Sequence, residues 1–394
     1  MALTVFYAFL ISLCFFPLAK WLSFRFNILD FPASRKIHKT PVPRTGGLLL
    51  LSALFIFFSS GKWLFAFFFI LIFLIGFLDD TLGLRARLRL LLQVIASISF
   101  VLITATYISD FQIFKLSSVL AMAFATFCIV GLINSYNMFD GLNGLCSGSA
   151  LIFFISIFFL SYIYNYSIML AISSFLIGSL LAFLLFNFPS GRIFLGDAGS
   201  YLIGFSIASI SLIMAKEVPD ISPWTFLLLS IIPIFDTVFA IYRRARQGDS
   251  PLKPDKKHLH HILRRRYKSC SKAVVHLWLI QILLSISAIL FHRNYILLIC
   301  LILFSVFLLR RLWYKKIEFT ISPLWKALAF KPIKILLLIL LVLLIPVYAH
   351  SEINLELIKK DLGAFFSEGN LVRLGIGLVL ARISFHFPRK TQWD

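Results

Sequence analysis

Two aspartates stand side by side in FLIGFLDDTLGLRARLRL (Phe73–Leu90), where an apolar run ends and Arg85, Arg87 and Arg89 follow. A helix dipole disfavours negative charge at the helix C-terminus, and adjacent carboxylates repel each other. Neighbouring helical residues point about 100° apart, so Asp79 and Asp80 cannot both face one partner. One could orient a cation while the other accepts a proton or meets a basic side chain. The plainer alternative pairs both with the following arginines as an interfacial anchor.

Three further clusters carry polar chemistry. In NSYNMFDGLNG (Asn134–Gly144), Asn134, Asn137 and Asp140 are spaced by three. On a helix they line one face, and Gly141 and Gly144 then let backbone approach a ligand. The alternative is a polar cap followed by an Asp-Gly turn. In FLGDAGS (Phe194–Ser200), Asp197 sits on an open backbone, either facing a ligand or capping the next helix. In PDKKHLHH (Pro254–His261), His258, His260 and His261 lie in a strongly basic stretch. Zinc-type H-x₃₋₅-H spacing is absent and no Cys accompanies them, so phosphate contact fits better. Taken together, carboxylates and amides suit Mg²⁺, and basic groups suit a diphosphate: the elements of phosphoryl chemistry. Walker A, kinase glycine-loop, GxGxxG and GxSxG patterns are absent.

The elements that must position these clusters are membrane helices. Of 394 residues, 60% are hydrophobic, 14% are charged and 44 are Phe. Such a composition cannot clothe a soluble surface of this size. The expected fold is an all-α polytopic membrane protein. Apolar runs predict spans at 2–22, 46–60, 63–78, 91–108, 117–134, 150–164, 168–186, 200–215, 224–241, 273–291, 295–310 and 333–349. The first run has no basic residues before it and reads as a retained span rather than a cleaved signal. The five Cys are scattered, which argues against a disulfide framework.

Alternating the loops separates the charges. Loops 20–45, 79–90, 135–149, 187–199, 242–272 and 311–332 hold nearly all the loop Lys and Arg. The positive-inside rule makes them cytoplasmic and puts the N-terminus outside, most simply across a bacterial inner membrane. The net charge of +21 then reads as basic loops touching anionic lipid, with no nucleic acid as partner. All four polar clusters fall on this one face. A transporter would instead place ionisable groups in mid-membrane, reachable from both sides.

The clusters, in this order, resemble those of the polyprenyl-phosphate N-acetylhexosamine-1-phosphate transferases of glycosyltransferase family 4. The first loop RKIHKTPVPRTGG (Arg35–Gly47) is similar to theirs, and the likeness covers roughly 1–310. The H-x-H-H spacing resembles the WecA-like branch more than the MraY-like one. The resemblance implies about 11 core spans. It also implies a reaction: undecaprenyl phosphate takes an N-acetylhexosamine-1-phosphate, by default GlcNAc-1-phosphate, from a UDP-sugar and releases UMP. Such a step opens synthesis of a cell-surface polysaccharide. Another UDP-acetamido sugar or UDP-MurNAc-pentapeptide is the runner-up. The implied cofactor is Mg²⁺, with Mn²⁺ as a substitute. The implied partners are the UDP-sugar, undecaprenyl phosphate and the bilayer, and a homodimer is compatible with it. Carried over by motif, Asp79 and Asp80 are the catalytic carboxylates, and Asn134 and Asp197 neighbour the metal. Asn137, Asp140 and Asn143 face the nucleotide or its diphosphate. His258, His260 and His261 contact phosphate or sugar, and Lys39, Arg44 and Arg89 frame the pocket. Arg89 stands where relatives commonly carry Lys. Residues 311–394, with a span at 333–349 and an apolar segment at Leu371–Phe385 interrupted by Arg373 and Arg382, form an extension outside the resemblance.

Overall fold

Nearly every element among the described residues is helical, as backbone in lipid requires. The computed structural model describes residues 2–32, 40–250 and 257–314. In chain order they form α1 (Ala2–Arg25), the short strands β1 (Leu29–Asp30) and β2 (Val42–Pro43), α2 (Gly47–Leu50) and, after a 3₁₀ turn, α3 (Leu54–Ser59). There follow α4 (Trp63–Leu82), α5 (Ala86–Thr104), α6 (Ser118–Phe139), α7 (Leu145–Ile163) and α8 (Ser167–Asn187). The last are α9 (Gly196–Glu217), α10 (Pro223–Leu229), α11 (Ile231–Arg246), α12 (Leu259–Tyr267), α13 (Cys270–Leu290) and α14 (Tyr295–Tyr314). Among the described residues, nine helices are long and apolar enough to cross a membrane, or ten if α10 and α11 make one span.

α9 is the central post. Its apolar window is 94% buried, against 28% for α5 and α14. α4 and α6 pack along it, while α1 and α7 both pack against α8. The outer helices keep large apolar side chains such as Phe127, Leu303 and Phe304 exposed, as lipid-facing surfaces do.

Two expected spans are not continuous. The stretch 46–60 is a short helix broken by the 3₁₀ turn Leu51–Ala53. Its start is laced to the head of α9, with Gly46 N–H donating to Phe194 O and Gly47 N–H to Leu195 O. A hydroxyl chain then holds the broken turn inside the bundle. Ser52 Oγ lies 2.6 Å from both Ser12 Oγ and Ser179 Oγ. The stretch 224–241 is bent by 75° between α10 and α11. Pro233 explains the break, because it cannot donate to the carbonyl four residues earlier, Leu229 O. Gln281 Nε2 of α13 supplies the missing hydrogen bond to that oxygen.

Helix ends also shift. α5 begins at Ala86 rather than 91, leaving only Gly83–Arg85 between it and α4. α9 begins at Gly196, so Asp197 lies in its first turn instead of acting as an N-cap before residue 200. α14 runs to Tyr314, past the expected core boundary at 310. The 333–349 span, Leu371–Phe385 and the rest of the extension lie outside the described residues, as does Lys39.

Gln281→Leu removes the only side-chain donor to Leu229 O recorded among the described residues. It should cost about 1–3 kcal/mol for a buried carbonyl left unpaired. Thermal melting of the detergent-solubilised protein checks this. An unchanged midpoint would mean that the bend does not depend on this bond.

Candidate active site

Asp80 ends up in a different place from Asp79. Gly76, one turn earlier on α4, lets the two helices touch: a Cβ there would lie 2.5 Å from Ala198 Cα. That approach brings Asp80 Oδ2 to the backbone N–H of Ala198 at 3.0 Å. Asp80 Oδ1 is buried and accepts no hydrogen bond. Arg44 Nη2 stands 3.1 Å from it as an ion partner, without the alignment of a hydrogen bond. The same guanidinium lies 3.9 Å from Asp197. Arg44 is delivered there by the β1–β2 pair and by Phe194 N–H donating to Pro43 O at 2.7 Å. Gly196 makes room for the junction. Its φ is +74°, and a Cβ would press on Arg44 O and lie 2.6 Å from Asp80 Oδ2.

Asp79 is buried and saturated by local partners. Its Oδ1 accepts Leu84 N–H at 3.0 Å, and its Oδ2 accepts Tyr201 O–H at 2.6 Å. Arg89 Nη1 lies 3.5 Å from the same Oδ2. The 100° between neighbours is therefore used. One carboxylate faces Tyr201 and Arg89, and the other faces Arg44 and the head of α9.

The second cluster is helical through Phe139, with Asp140 as its C-cap. Asn137 Nδ2 donates to Asp197 Oδ1 at 2.7 Å and to Ser200 Oγ at 3.0 Å. Asn134 Nδ2 donates to Gln93 Oε1 at 2.6 Å and to Val130 O at 2.8 Å. Asn143 turns the other way, donating to Pro189 O at 3.1 Å. Burial, and then the neighbouring Asp197, pushes Asp140 up to about 7. Arg44 acts in the opposite sense on it but less strongly.

The histidine segment closes onto the same turn. A Cβ on Gly141 would overlap Nε2 of His260. The edge of His260 meets Phe139 at a ring distance of 6.0 Å. Burial, and then His260 and His258 beside it, pulls His261 down to about 3. A ring held that low carries no charge near pH 7, so His261 offers the site a neutral N–H rather than a cation. A basic-loop reading of the sequence did not anticipate that.

An apolar cavity of about 720 Å³ opens beside these groups. Arg89, Asn134, Asn137, His258, His260 and His261 line one end. Phe111, Phe114 and Trp224 line the other, past Phe127, Leu212 and Ile234. Arg89 and Asn137 join the two regions, since each lines the cavity and also touches a carboxylate.

Several partners were missed in the sequence. Asp236 escaped notice inside the run predicted as span 224–241. It is an ionisable residue in mid-run, of the kind a transporter would use, and an apolar stretch interrupted by one Asp was the available signal. Its carboxylate faces His258 and His260. Tyr201 and Gln93 gave no signal beyond being polar within apolar helices.

The carboxylates fit a hard cation. Asp80 offers a buried oxygen without a hydrogen bond, and Asp197 approaches the same guanidinium. Among the described residues no group of three His, Cys, Asp or Glu is placed to hold a metal ion by itself. Mg²⁺ is commonly held by one or two carboxylates with waters and substrate phosphates, which suits such a donor set.

A membrane-helix bundle with carboxylates and arginines at one end, opening onto an apolar cavity, defines a multi-pass membrane protein with a polar site beside an apolar one. Residues 62–215 match the family described as glycosyl transferase family 4. The chain is 32% identical over 293 residues to the "probable undecaprenyl-phosphate N-acetylglucosaminyl 1-phosphate transferase" of Bacillus subtilis (strain 168), covering 69% of this chain and 80% of that relative. It is 31% identical to the "undecaprenyl-phosphate alpha-N-acetylglucosaminyl 1-phosphate transferase" of Thermotoga maritima, covering 72% and 90%. It is 30% identical to the protein of the same name from Escherichia coli (strain K12), covering 70% and 80%. The chain belongs to glycosyl transferase family 4 and is an enzyme of the transferase class.

Proposed function

We propose that the protein transfers GlcNAc-1-phosphate from UDP-GlcNAc to undecaprenyl phosphate, giving undecaprenyl-diphosphate-GlcNAc and UMP. The names of its relatives support the reaction. The observation that carries it in the structure is the junction of cavity and carboxylates at Arg89 and Asn137. A polyprenyl tail needs a long apolar groove, and its phosphate needs a basic group at the groove's head. The site would face the cytoplasm, with the N-terminus outside, because the basic loops flank it.

A lipid phosphate oxygen attacks the β-phosphorus of the UDP-sugar, and the bond to the UMP oxygen breaks. A phosphate monoester has a second pKa of about 6, so the nucleophile is already largely dianionic at pH 7. It needs little help from a base, which favours direct attack over a phospho-aspartate. Asp79 then holds Arg89 toward the lipid phosphate. Asp80 and Asp197 would hold the cation, with Arg44 balancing their charge in its absence. Asn134 serves the cavity wall, while Asp140 and the histidines lie along the diphosphate. Bound Mg²⁺ would neutralise charge on the diphosphate.

Purified protein with undecaprenyl phosphate and Mg²⁺ should release UMP from UDP-GlcNAc faster than from other UDP-acetamido sugars. Asp79→Asn, Asp80→Asn and Asp197→Asn should each lose at least about a hundredfold in turnover while still inserting in membranes. No UMP from any sugar would sink the reaction, and full activity in all three variants would sink the site.

The elevated Asp140 adds a pH dependence. Between about 4 and about 7 the unfolded chain ionises this carboxyl while the folded one keeps its proton, so its contribution to stability falls as pH rises. A bound cation favours the ionised form and competes with that proton. The rise in melting temperature on adding Mg²⁺ should therefore be larger at pH 8 than at pH 5. An equal rise at both would argue against a cation beside Asp140.

A further inference from the structure

We propose that Asp236 is a positioning residue for the His258–His260 pair, setting the tautomer of both rings so that Nε2 of His260 is aimed at the Asp140–Gly141 turn. The role in turnover rests on the transferase reading above; the tautomer assignment does not.

The geometry starts at the helix bend. Pro233 breaks the α10–α11 span, and Asp236 follows three residues later on α11, inside an apolar stretch. It is buried, so its carboxylate needs hydrogen-bond donors. Oδ1 accepts Leu259 N–H at 2.7 Å. Oδ2 faces Nδ1 of His258 at 3.2 Å and Nδ1 of His260 at 3.3 Å. A carboxylate has only acceptors to offer, so each ring must present Nδ1–H to it. The two imidazoles lie nearly parallel, 15° apart, as two rings hung on one oxygen should.

Fixing Nδ1–H fixes the other edge. In a neutral ring held this way, Nε2 is the acceptor and points away from Asp236. For His258 that edge meets Arg244 Nη2 at 3.4 Å. For His260 it is the ring atom nearest Gly141. His260 also lines the cavity. His258 lines it too and also links the start of α12 back to α11, while His260 is the ring that lies against Gly141. Asp236 itself does not line the cavity, and its effect on the site passes through the imidazoles that do.

The test uses the full chain in liposomes, labelled with ¹⁵N-histidine. Resonances of Nδ1-protonated neutral imidazole should be present in the wild type and reduced in Asp236→Asn, whose amide can donate where the rings need an acceptor. Unchanged spectra would overturn the assignment, whether or not the protein proves to be a transferase. With UDP-GlcNAc and undecaprenyl phosphate, Asp236→Asn should lower kcat by about tenfold to a hundredfold, with a smaller change in KM, and Asp236→Glu should recover part of it. His260→Gln should lose a similar factor. The double variant Asp236→Asn with His260→Gln should be no worse than the poorer single one, because both act through one ring. Losses that multiply would mean that Asp236 acts independently of His260. His260→Asn guards against misfolding: its amide can still donate to Asp236, but nothing replaces Nε2. It should melt like the wild type and lose turnover, and retained turnover would overturn the proposal.

Discussion

The carboxylate of Asp80 ties three stretches of chain that are far apart in sequence. It lies in the last turn of α4, it accepts an N–H from the first turn of α9, and it faces an arginine returned by the first loop. A buried carboxylate with an oxygen that takes no hydrogen bond is costly. The surrounding sequence accommodates it. Gly76 brings the helices close enough for the Ala198 bond, and Gly196 clears space for Arg44 and the carboxylate together. On our reading the remaining demand is met by a cation and by the diphosphate it accompanies.

A division of labour follows between the two neighbouring aspartates. Asp79 has a tyrosine, a backbone amide and Arg89, and so serves as a rigid support for a cavity-lining arginine. Asp80 shares Arg44 with Asp197 and sits in the more crowded field. The histidine segment approaches the same place from the other side, through Gly141. A polar ligand held there would meet carboxylates on one flank and imidazoles on the other. The apolar cavity leads away from between them. A water-soluble nucleotide sugar and a membrane lipid can meet in that geometry without either crossing the bilayer.

Much of this was legible because charge is expensive in lipid. Asp79, Asp80, Asp140 and Asp197 stand out against apolar runs, and the three-residue spacing of Asn134, Asn137 and Asp140 reported a helix that the structure contains. What could not be read depends on packing. The run 46–60 looks like a span, yet it forms a shorter helix, Gly47–Ser59, with a 3₁₀ turn inside it, laced to α9 and to a serine chain. The run 224–241 also looks continuous, and its Pro233 was a visible sign of the break that a hydropathy reading passed over. Asn143 shares a motif with Asn137 but donates to Pro189 O, while Asn134 lines the cavity beside Asn137 with its amide given to Gln93. The neutrality of His261 depends on burial and on two neighbouring rings, neither of which the basic sequence around it reveals.

The central claim is that the carboxylates around Arg44 hold a cation together with a diphosphate. Mn²⁺ binding, followed by electron paramagnetic resonance in the presence of UDP, tests it most directly. The account predicts a UDP-dependent bound signal in the wild type. That signal should be lost in Asp80→Asn and Asp197→Asn and kept in Asp110→Asn, whose carboxylate is exposed and paired with Lys115. The same bound signal in all four proteins would contradict it.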